Sequence, residues 1–197
     1  MIVNRCLSAL ALCSLIGLAA CEQKVDEFQS TDVTGAEFGR EFELVDHHAQ
    51  LRHLEDFRGK VTVIFFGFTH CPDVCPTTLA ELAGVMTELG AAAEQVQVLF
   101  VTVDPERDTP EVLAGYVTAF NPTFIGLTGN PSQIEAVARE FRVVYQKAEG
   151  SKPDNYSVDH STGTYIFDPQ GRVRLYVRYG QDRKSIVSDI TRLLGGA

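Results

Sequence analysis

Two cysteines in the run Gly67-Phe68-Thr69-His70-Cys71-Pro72-Asp73-Val74-Cys75-Pro76 are the residues best suited to chemistry. The run follows the apolar stretch Val61–Phe68 and precedes Leu79, Leu82, Ala83, Val85, Met86 and Leu89, which recur at helical spacing. Both thiols are therefore expected where a strand ends and a helix begins. Unpaired N–H groups and the helix dipole favour negative charge there, which lowers a thiol pKa and raises the thiolate fraction. Pro76 fits the first helical turn, where its missing N–H would have no partner anyway.

Thiolate is both a metal ligand and a redox nucleophile, and the spacing bears on the choice. Three residues separate Cys71 from Cys75, one more than in the Cys-x-x-Cys redox pattern. The wider bite suits an ion between the sulfurs, although a disulfide stays geometrically open. A plain structural disulfide closing so short a loop would stabilise little by chain entropy. Soft thiolates select Cu(I), imidazole also accepts Cu(II), and two sulfurs plus one nitrogen accommodate either state. No fourth ligand is evident for a closed structural zinc site. A histidine is the missing piece.

The chain around these residues has 197 positions, 45% hydrophobic and 22% charged, enough for one domain with a substantial core. Lys+Arg of 17 against Asp+Glu of 26 gives a net charge of -9, so the overall field repels phosphate backbones and argues against nucleic acid as a partner. No basic run offers electrostatic adsorption to anionic lipid. Membrane attachment is instead expected at the N-terminus. Residues 1–20 carry Arg5, an apolar run and small residues Ala19 and Ala20, the layout of a secretory signal too short for a permanent span. Leu18-Ala19-Ala20-Cys21 resembles a bacterial lipoprotein cleavage box, which makes Cys21 the expected lipidated residue and the periplasmic face of a bacterial membrane the expected location. Cys6 and Cys13 leave with the signal, so Cys71 and Cys75 are the thiols of the folded domain. Residues 21–37 read as a lipid-anchored flexible tether, averaging roughly 20 Å end to end and reaching about 55 Å when taut.

From residue 38 to 197 strand-like and helix-like segments alternate. Phe42, Leu44, Leu51 and Leu54 flank the polar Asp46–Gln50 segment and predict an N-terminal hairpin. Val61–Phe68 and Val96–Val103 read as buried central strands in a parallel βαβ unit. Pro110 to about Phe120 reads as a helix capped by Asp108 or Thr109, and Asn130-Pro131-Ser132-Gln133 opens another through Phe141. Phe124–Leu127 is a short apolar segment and Val143–Lys147 a candidate strand. Residues 148–163 are polar, rich in turn formers, and read as an exposed loop. Thr164–Phe167, the turn Asp168-Pro169-Gln170-Gly171 and the alternating Val173, Leu175, Val177 and Tyr179 predict a C-terminal hairpin. Ile186, Val187, Ile190, Leu193 and Leu194 form one face of a last helix ended by Gly195-Gly196.

The runs FGFTHCPDVCP, VTVDPERDTP and VDHSTGTYIFDPQG are similar to three signature segments of the SCO/SenC family of copper chaperones for cytochrome c oxidase, in the family's order. The similarity covers roughly residues 38–194. It implies an α/β thioredoxin-like fold, a central mixed β-sheet flanked by helices, with an N-terminal hairpin and a His-bearing loop insertion. It further implies one copper per chain, as Cu(I) or Cu(II), held by Cys71, Cys75 and His160. The implied recipient is cytochrome c oxidase subunit II, at its CuA site, or another copper protein, served by a monomeric domain. Many relatives resemble single-span membrane proteins, whereas this chain looks lipidated.

Other residues invite weighing. A low-pKa dithiol on this fold can also exchange with disulfides, so reduction of oxidase cysteines before metallation is the alternative role for Cys71 and Cys75. Nothing marks a peroxidase. His160 could be an ordinary solvated loop residue, but its loop can fold back onto the strand end. Strand alternation turns His70 away from an ion at Cys71. His47, His48 and His53 read as solvated turn positions, and Met86 as core. Asp159, beside His160, and Asp104, at a strand end, are candidates to support the ligands indirectly. Arg107 and Asp108 read as a candidate ion pair.

Overall fold

The structure, a computed structural model, describes residues 27–148 and 156–197. In chain order its elements are β1 (Thr31–Asp32), β2 (Glu43–Asp46), β3 (Leu51–His53), β4 (Val61–Gly67), α1 (Val74–Leu89), β5 (Val96–Thr102), α2 (Pro110–Phe120) and β6 (Ile125–Thr128). There follow α3 (Pro131–Glu140), β7 (Tyr145–Lys147), β8 (Val158–His160), β9 (Thr164–Phe167), β10 (Val173–Val177) and α4 (Arg183–Leu194). Eight strands make one mixed sheet in the order β1-β10-β9-β4-β5-β6-β2-β3, and β7 pairs with β8 outside it. This is the expected thioredoxin-like α/β arrangement with its N-terminal hairpin. Among the described residues no helix is long and apolar enough to cross a membrane.

β4 and β5 are buried along all seven residues of each, as their largely apolar sequences require of strands covered on both faces. They run parallel from Val61↔Val96 to Gly67↔Thr102, while β9 pairs antiparallel on the other side of β4. Phe65, Phe66, Phe100 and Phe167 are at most 1% exposed, and each such side chain contributes about 1.5–3 kcal/mol by leaving water. The helix starts follow local capping. Thr109, not Asp108, caps α2 by accepting from Val112 N–H, and Asn130 and Gln133 form a reciprocal capping box on α3.

Three expectations need correction. Residues 28–37, read as part of the tether, are docked: β1 pairs with β10, and the Gln29 and Ser30 N–H groups each donate to the Asp189 carboxylate at 2.8 Å. Phe28 lies beneath the guanidinium groups of Arg174 and Arg192, at 5.5 and 4.9 Å. Polar composition hid this segment because its partners lie about 150 residues downstream. Secondly, residues 148–163 are not wholly exposed loop. Tyr156 and Val158 are buried, and β8 pairs with β7 in the register Tyr145↔His160 to Lys147↔Val158. Thirdly, His47 is only 8% exposed, its Nδ1 accepting from Gly126 N–H at 3.0 Å. His48 is exposed as expected, His53 is partly exposed, and Met86 is core. The signal segment and Cys21 lie outside the described residues.

Candidate metal centre

β4, a central strand, ends at Gly67, and α1 begins seven residues later at Val74. Between them Cys71 is partly exposed, while Cys75, in the helix's first turn, is fully buried. The Cys75 N–H points at Cys71 Sγ, 3.5 Å away, so the helix N-terminus does face a sulfur as its sequence position suggested. Gly67 makes room for the second sulfur. A methyl group there would stand 2.7 Å from Cys75 Sγ and 2.9 Å from Phe100 Cε2.

His160, at the end of β8, presents Nε2 to Cys75 Sγ at 3.5 Å. Its Nδ1 lies 2.8 Å from the Ser161 carbonyl oxygen, which can only accept, so Nδ1 carries the proton and Nε2 keeps a free lone pair. The ring stands edge-on to Phe68 and Phe65, with centroids 5.8 and 6.3 Å away. Burial lowers its pKa below the ordinary histidine value, which keeps the ring neutral as a metal ligand must be. Cys71 Sγ, Cys75 Sγ and one imidazole nitrogen of His160 lie within 4.8 Å of one another and could hold a metal ion. His70 is exposed, shares a hydrogen bond with Thr69 Oγ1 at 3.1 Å, and stays outside this cluster.

One electrostatic expectation is reversed. Burial pushes the Cys75 thiol well above its ordinary pKa, outweighing the Phe68 N–H that hydrogen-bonds its sulfur. Both cysteines are free thiols here. Desolvation beats the helix terminus because Cys75 lies under the strand end rather than at the surface.

The supporting acids also rearrange. Asp159 is exposed and makes no hydrogen bond to the imidazole among the described residues, since Ser161 takes Nδ1. Asp104, 3% exposed, acts at a distance: it pairs with Arg107 and accepts from Tyr156 OH at 2.5 Å. The Arg107 guanidinium lies 3.6 Å from the Tyr156 ring centroid and donates to the Tyr156 carbonyl at 2.9 Å. This cluster fastens the β7–β8 ribbon beside the thiols. Arg107 thus pairs with Asp104 rather than Asp108. Asp108, wholly buried, instead accepts from Thr69 N–H at 3.0 Å, Thr69 Oγ1 at 2.5 Å and Thr102 Oγ1 at 2.6 Å, tying the cysteine loop to β5. Desolvation raises its pKa. Sequence reasoning missed that role, because an acid next to a helix cap gives the same local signal as a cap.

A thioredoxin-like domain with two cysteines at the end of its central strand and a histidine brought over by a separate ribbon defines a class of soft-metal proteins. The chain matches the SCO1/SenC family profile over residues 30–195 and belongs to that family. It is 41% identical to the mitochondrial SCO2 homolog of Bos taurus over 154 residues, which cover 77% of this chain and 58% of that protein. The chain therefore spans little more than half of that relative's length. Among solved structures, Arabidopsis thaliana ScoI with copper bound is 35% identical with a TM-score of 0.76, covering 82% of this chain and 100% of the other. Apo Sco1 from Thermus thermophilus is 39% identical with a TM-score of 0.77, covering 85% and 97%.

Proposed function

We propose that this chain takes up one copper ion through Cys71, Cys75 and His160 and delivers it to cytochrome c oxidase, at the CuA site of subunit II, or to another copper protein. The observation that carries the reading is the convergence of two sulfurs and one neutral imidazole nitrogen within 4.8 Å. That donor set accepts Cu(I) and Cu(II) with little rearrangement. The copper-bound family structure supports the choice of metal. Loading displaces the thiol protons, and the raised pKa of Cys75 makes apparent affinity climb with pH. Release needs the ligands to part. The ribbon bearing His160 is the element best placed to withdraw, which would leave a two-sulfur site open to a competing ligand.

Disulfide exchange is the weaker reading. Cys71 is partly exposed, but the second thiol, which must resolve the mixed disulfide, is Cys75, fully buried and held protonated. Copper titration of the wild type and three alanine variants tests the proposal. One equivalent should produce sulfur-to-copper charge-transfer absorbance in the wild type, and Cys71→Ala, Cys75→Ala and His160→Ala should each abolish it. Undiminished binding by His160→Ala would defeat the three-ligand site.

The same reading puts the domain at the periplasmic face of a bacterial membrane, on a lipid attached to Cys21 once residues 1–20 are removed. The support is the small-residue box before Cys21 and the apolar run preceding it. Because residues 28–37 are docked, any free tether is confined to residues before Phe28, which shortens the domain's reach. Mass spectrometry of the mature chain should find an acylated Cys21; an unmodified thiol there would remove the anchor.

A further inference from the structure

The ribbon that carries His160 joins the domain by two stalks. Phe141, Arg142, Val143 and Val144 lead into it from α3, and Ser161, Thr162 and Gly163 lead out of it to β9. The stalks are bonded to each other: Ser161 N–H donates to the Val144 carbonyl at 2.9 Å, and Val144 N–H donates to Ser161 Oγ at 3.1 Å. Each contains a backbone position of special geometry. Arg142 ends α3 in the left-handed conformation, at φ 55, with its N–H on the Arg139 carbonyl and the Val143 N–H on that of Ala138. Glycine is usual at such a place, and a residue with a Cβ keeps the conformation only when its surroundings hold it. Gly163 is buried under the phenol ring of Tyr176, so close that a Cβ there would stand 2.1 Å from two ring carbons. Glycine beside a strand marks just such a close approach.

Two tyrosines, cross-strand partners on β9 and β10 with ring centroids 5.4 Å apart, hold one stalk each. Tyr176 lies on Gly163, and Tyr165 donates its hydroxyl to the Phe141 carbonyl at 2.7 Å, immediately before Arg142. The docked N-terminal segment completes the arrangement. Thr31 of β1 pairs with Tyr176, while the Phe38 ring stands edge-on to Tyr165 at 5.8 Å and beneath the Arg142 guanidinium at 5.0 Å. The contacts on the two stalks thus come from β9, β10 and the segment before β2, not from the cysteine loop.

We infer that Tyr176, Tyr165 and Phe38 are positioning residues for His160, clamping the two stalks of its ribbon and so fixing where the imidazole stands relative to the thiols. As a statement about copper this rests on the reading above. The clamp ties the docked N-terminal segment to the ligand, because undocking that segment takes Thr31 from Tyr176 and Phe38 from Arg142. Arg142 and Gly163, at the ends of their elements, are then the hinges that absorb the ribbon's movement.

Full-chain variants test the clamp, first without copper. Tyr176→Leu takes the ring off Gly163, and Phe38→Leu takes the ring from Arg142 and Tyr165. Each should quicken amide exchange at residues 145–147 and 158–160 about tenfold, near the upper end of what one aromatic contact contributes, while β4 and β5 keep their protection. Tyr176→Phe keeps the ring and should exchange as wild type does. Gly163→Ala should act like Tyr176→Leu, since methyl and ring cannot share the space; made in the Tyr176→Leu background it should add little. With copper, Tyr176→Leu and Phe38→Leu should still bind one ion, held less tightly by the factor through which the ribbon opens more often.

Unchanged ribbon exchange in Tyr176→Leu and Phe38→Leu overturns the clamp, as does faster exchange spread evenly over the sheet. Strictly additive effects of Gly163→Ala and Tyr176→Leu overturn it too, because the ring would then not be what occupies the space at Gly163. Faster ribbon exchange with copper held as tightly as in wild type overturns the positioning of His160. A wild type that binds no copper defeats the copper reading alone, and exchange in the metal-free chains still decides the clamp.

Discussion

The two halves of the centre are held by unlike means. The sulfurs sit where β4 ends, between β5 and β9, with the sixteen-residue α1 continuing from them. Cys75 is buried in the first turn of α1, and the loop carrying Cys71 is tied to β5 through Asp108. The imidazole rides on a ribbon of two three-residue strands outside that sheet. An isolated two-stranded ribbon is marginal in water, so its position depends on side-chain fastenings: Tyr156 with Asp104 and Arg107, and the Phe65 and Phe68 faces beside His160. Two ligands are thus fixed at the global stability of the domain and the third at a local one. On the copper-delivery reading proposed above, that division supplies a route for release.

The contrast is most forcibly tested from the thiol side. Phe100→Ala removes a fully buried ring from the strand behind Cys75 and should cost about 3–5 kcal/mol, lowering the denaturant midpoint of the whole domain. The sulfurs and the sheet should be lost in one cooperative transition. Separate transitions, with reactivity of the buried Cys75 appearing well before the sheet melts, would mean the thiols are not fixed as argued.

On the ribbon side the expectation is local. Tyr156→Phe leaves the buried Asp104 carboxylate with Arg107 but without the phenol, a loss of about 1.4 kcal/mol, or roughly tenfold in opening. Amide exchange at residues 145–147 and 158–160 should quicken by that factor, while β4 and β5 keep their protection. Copper should be held about tenfold less tightly. Faster exchange spread evenly over the sheet would erase the distinction between the two halves.

Acid should act on the same boundary. His160 has its pKa lowered by burial, so the packed ribbon binds a proton less readily than the open one. The stability this contributes is complete above the ordinary histidine pKa of about 6.5 and is lost as pH falls through the ring's lowered value. Exchange in β8 should therefore rise on acidification below about pH 6.5, and His160→Gln should flatten the profile. His47 titrates in the same direction, but its ring serves β6 through Gly126, so its effect belongs to the N-terminal hairpin. A ribbon profile that does not change with pH would show that His160 stays packed whether or not it is charged.

Much of the scaffold was legible because apolar period and caps are local signals. Val61–Phe68 and Val96–Val103 announce buried strands, and Asn130-Pro131-Ser132-Gln133 announces α3. The thiols were legible from their place between a strand and a helix. His160 was not: its role came from family resemblance, and the geometry joins it to Cys75 across 85 residues of sequence. Asp108 and Tyr156 are ordinary loop residues until the fold surrounds them. Asp159 was overvalued through adjacency in sequence, since on a strand the neighbour of an inward residue points outward. The docking of residues 28–37 was hidden likewise, for Asp189 and β10 lie far along the chain.

The smallest effect belongs far from the centre, in the two hairpin turns, which share one device. Asp46 accepts from the N–H groups of His48 and Gln50 and from Arg52 Nε; Asp168 accepts from those of Gln170 and Arg172 and from Arg172 Nε. Three residues after each aspartate the backbone turns left-handed, at Gly171 with φ 79 in one and at Ala49 with φ 59 in the other. Only the second carries a Cβ, whose left-handed conformation costs about 1–2 kcal/mol. Ala49→Gly relieves that strain but gives the unfolded chain more freedom, worth about 0.4–1 kcal/mol, so a net gain of about 0.5 kcal/mol is expected. The denaturant midpoint should rise slightly while copper binding and ribbon exchange stay as they were, because β2 and β3 lie at the sheet's edge, separated from β4 by β5 and β6. A change in the ribbon from this substitution would show the local element to be coupled to the whole sheet, contrary to the division between fixed sulfurs and a separable imidazole.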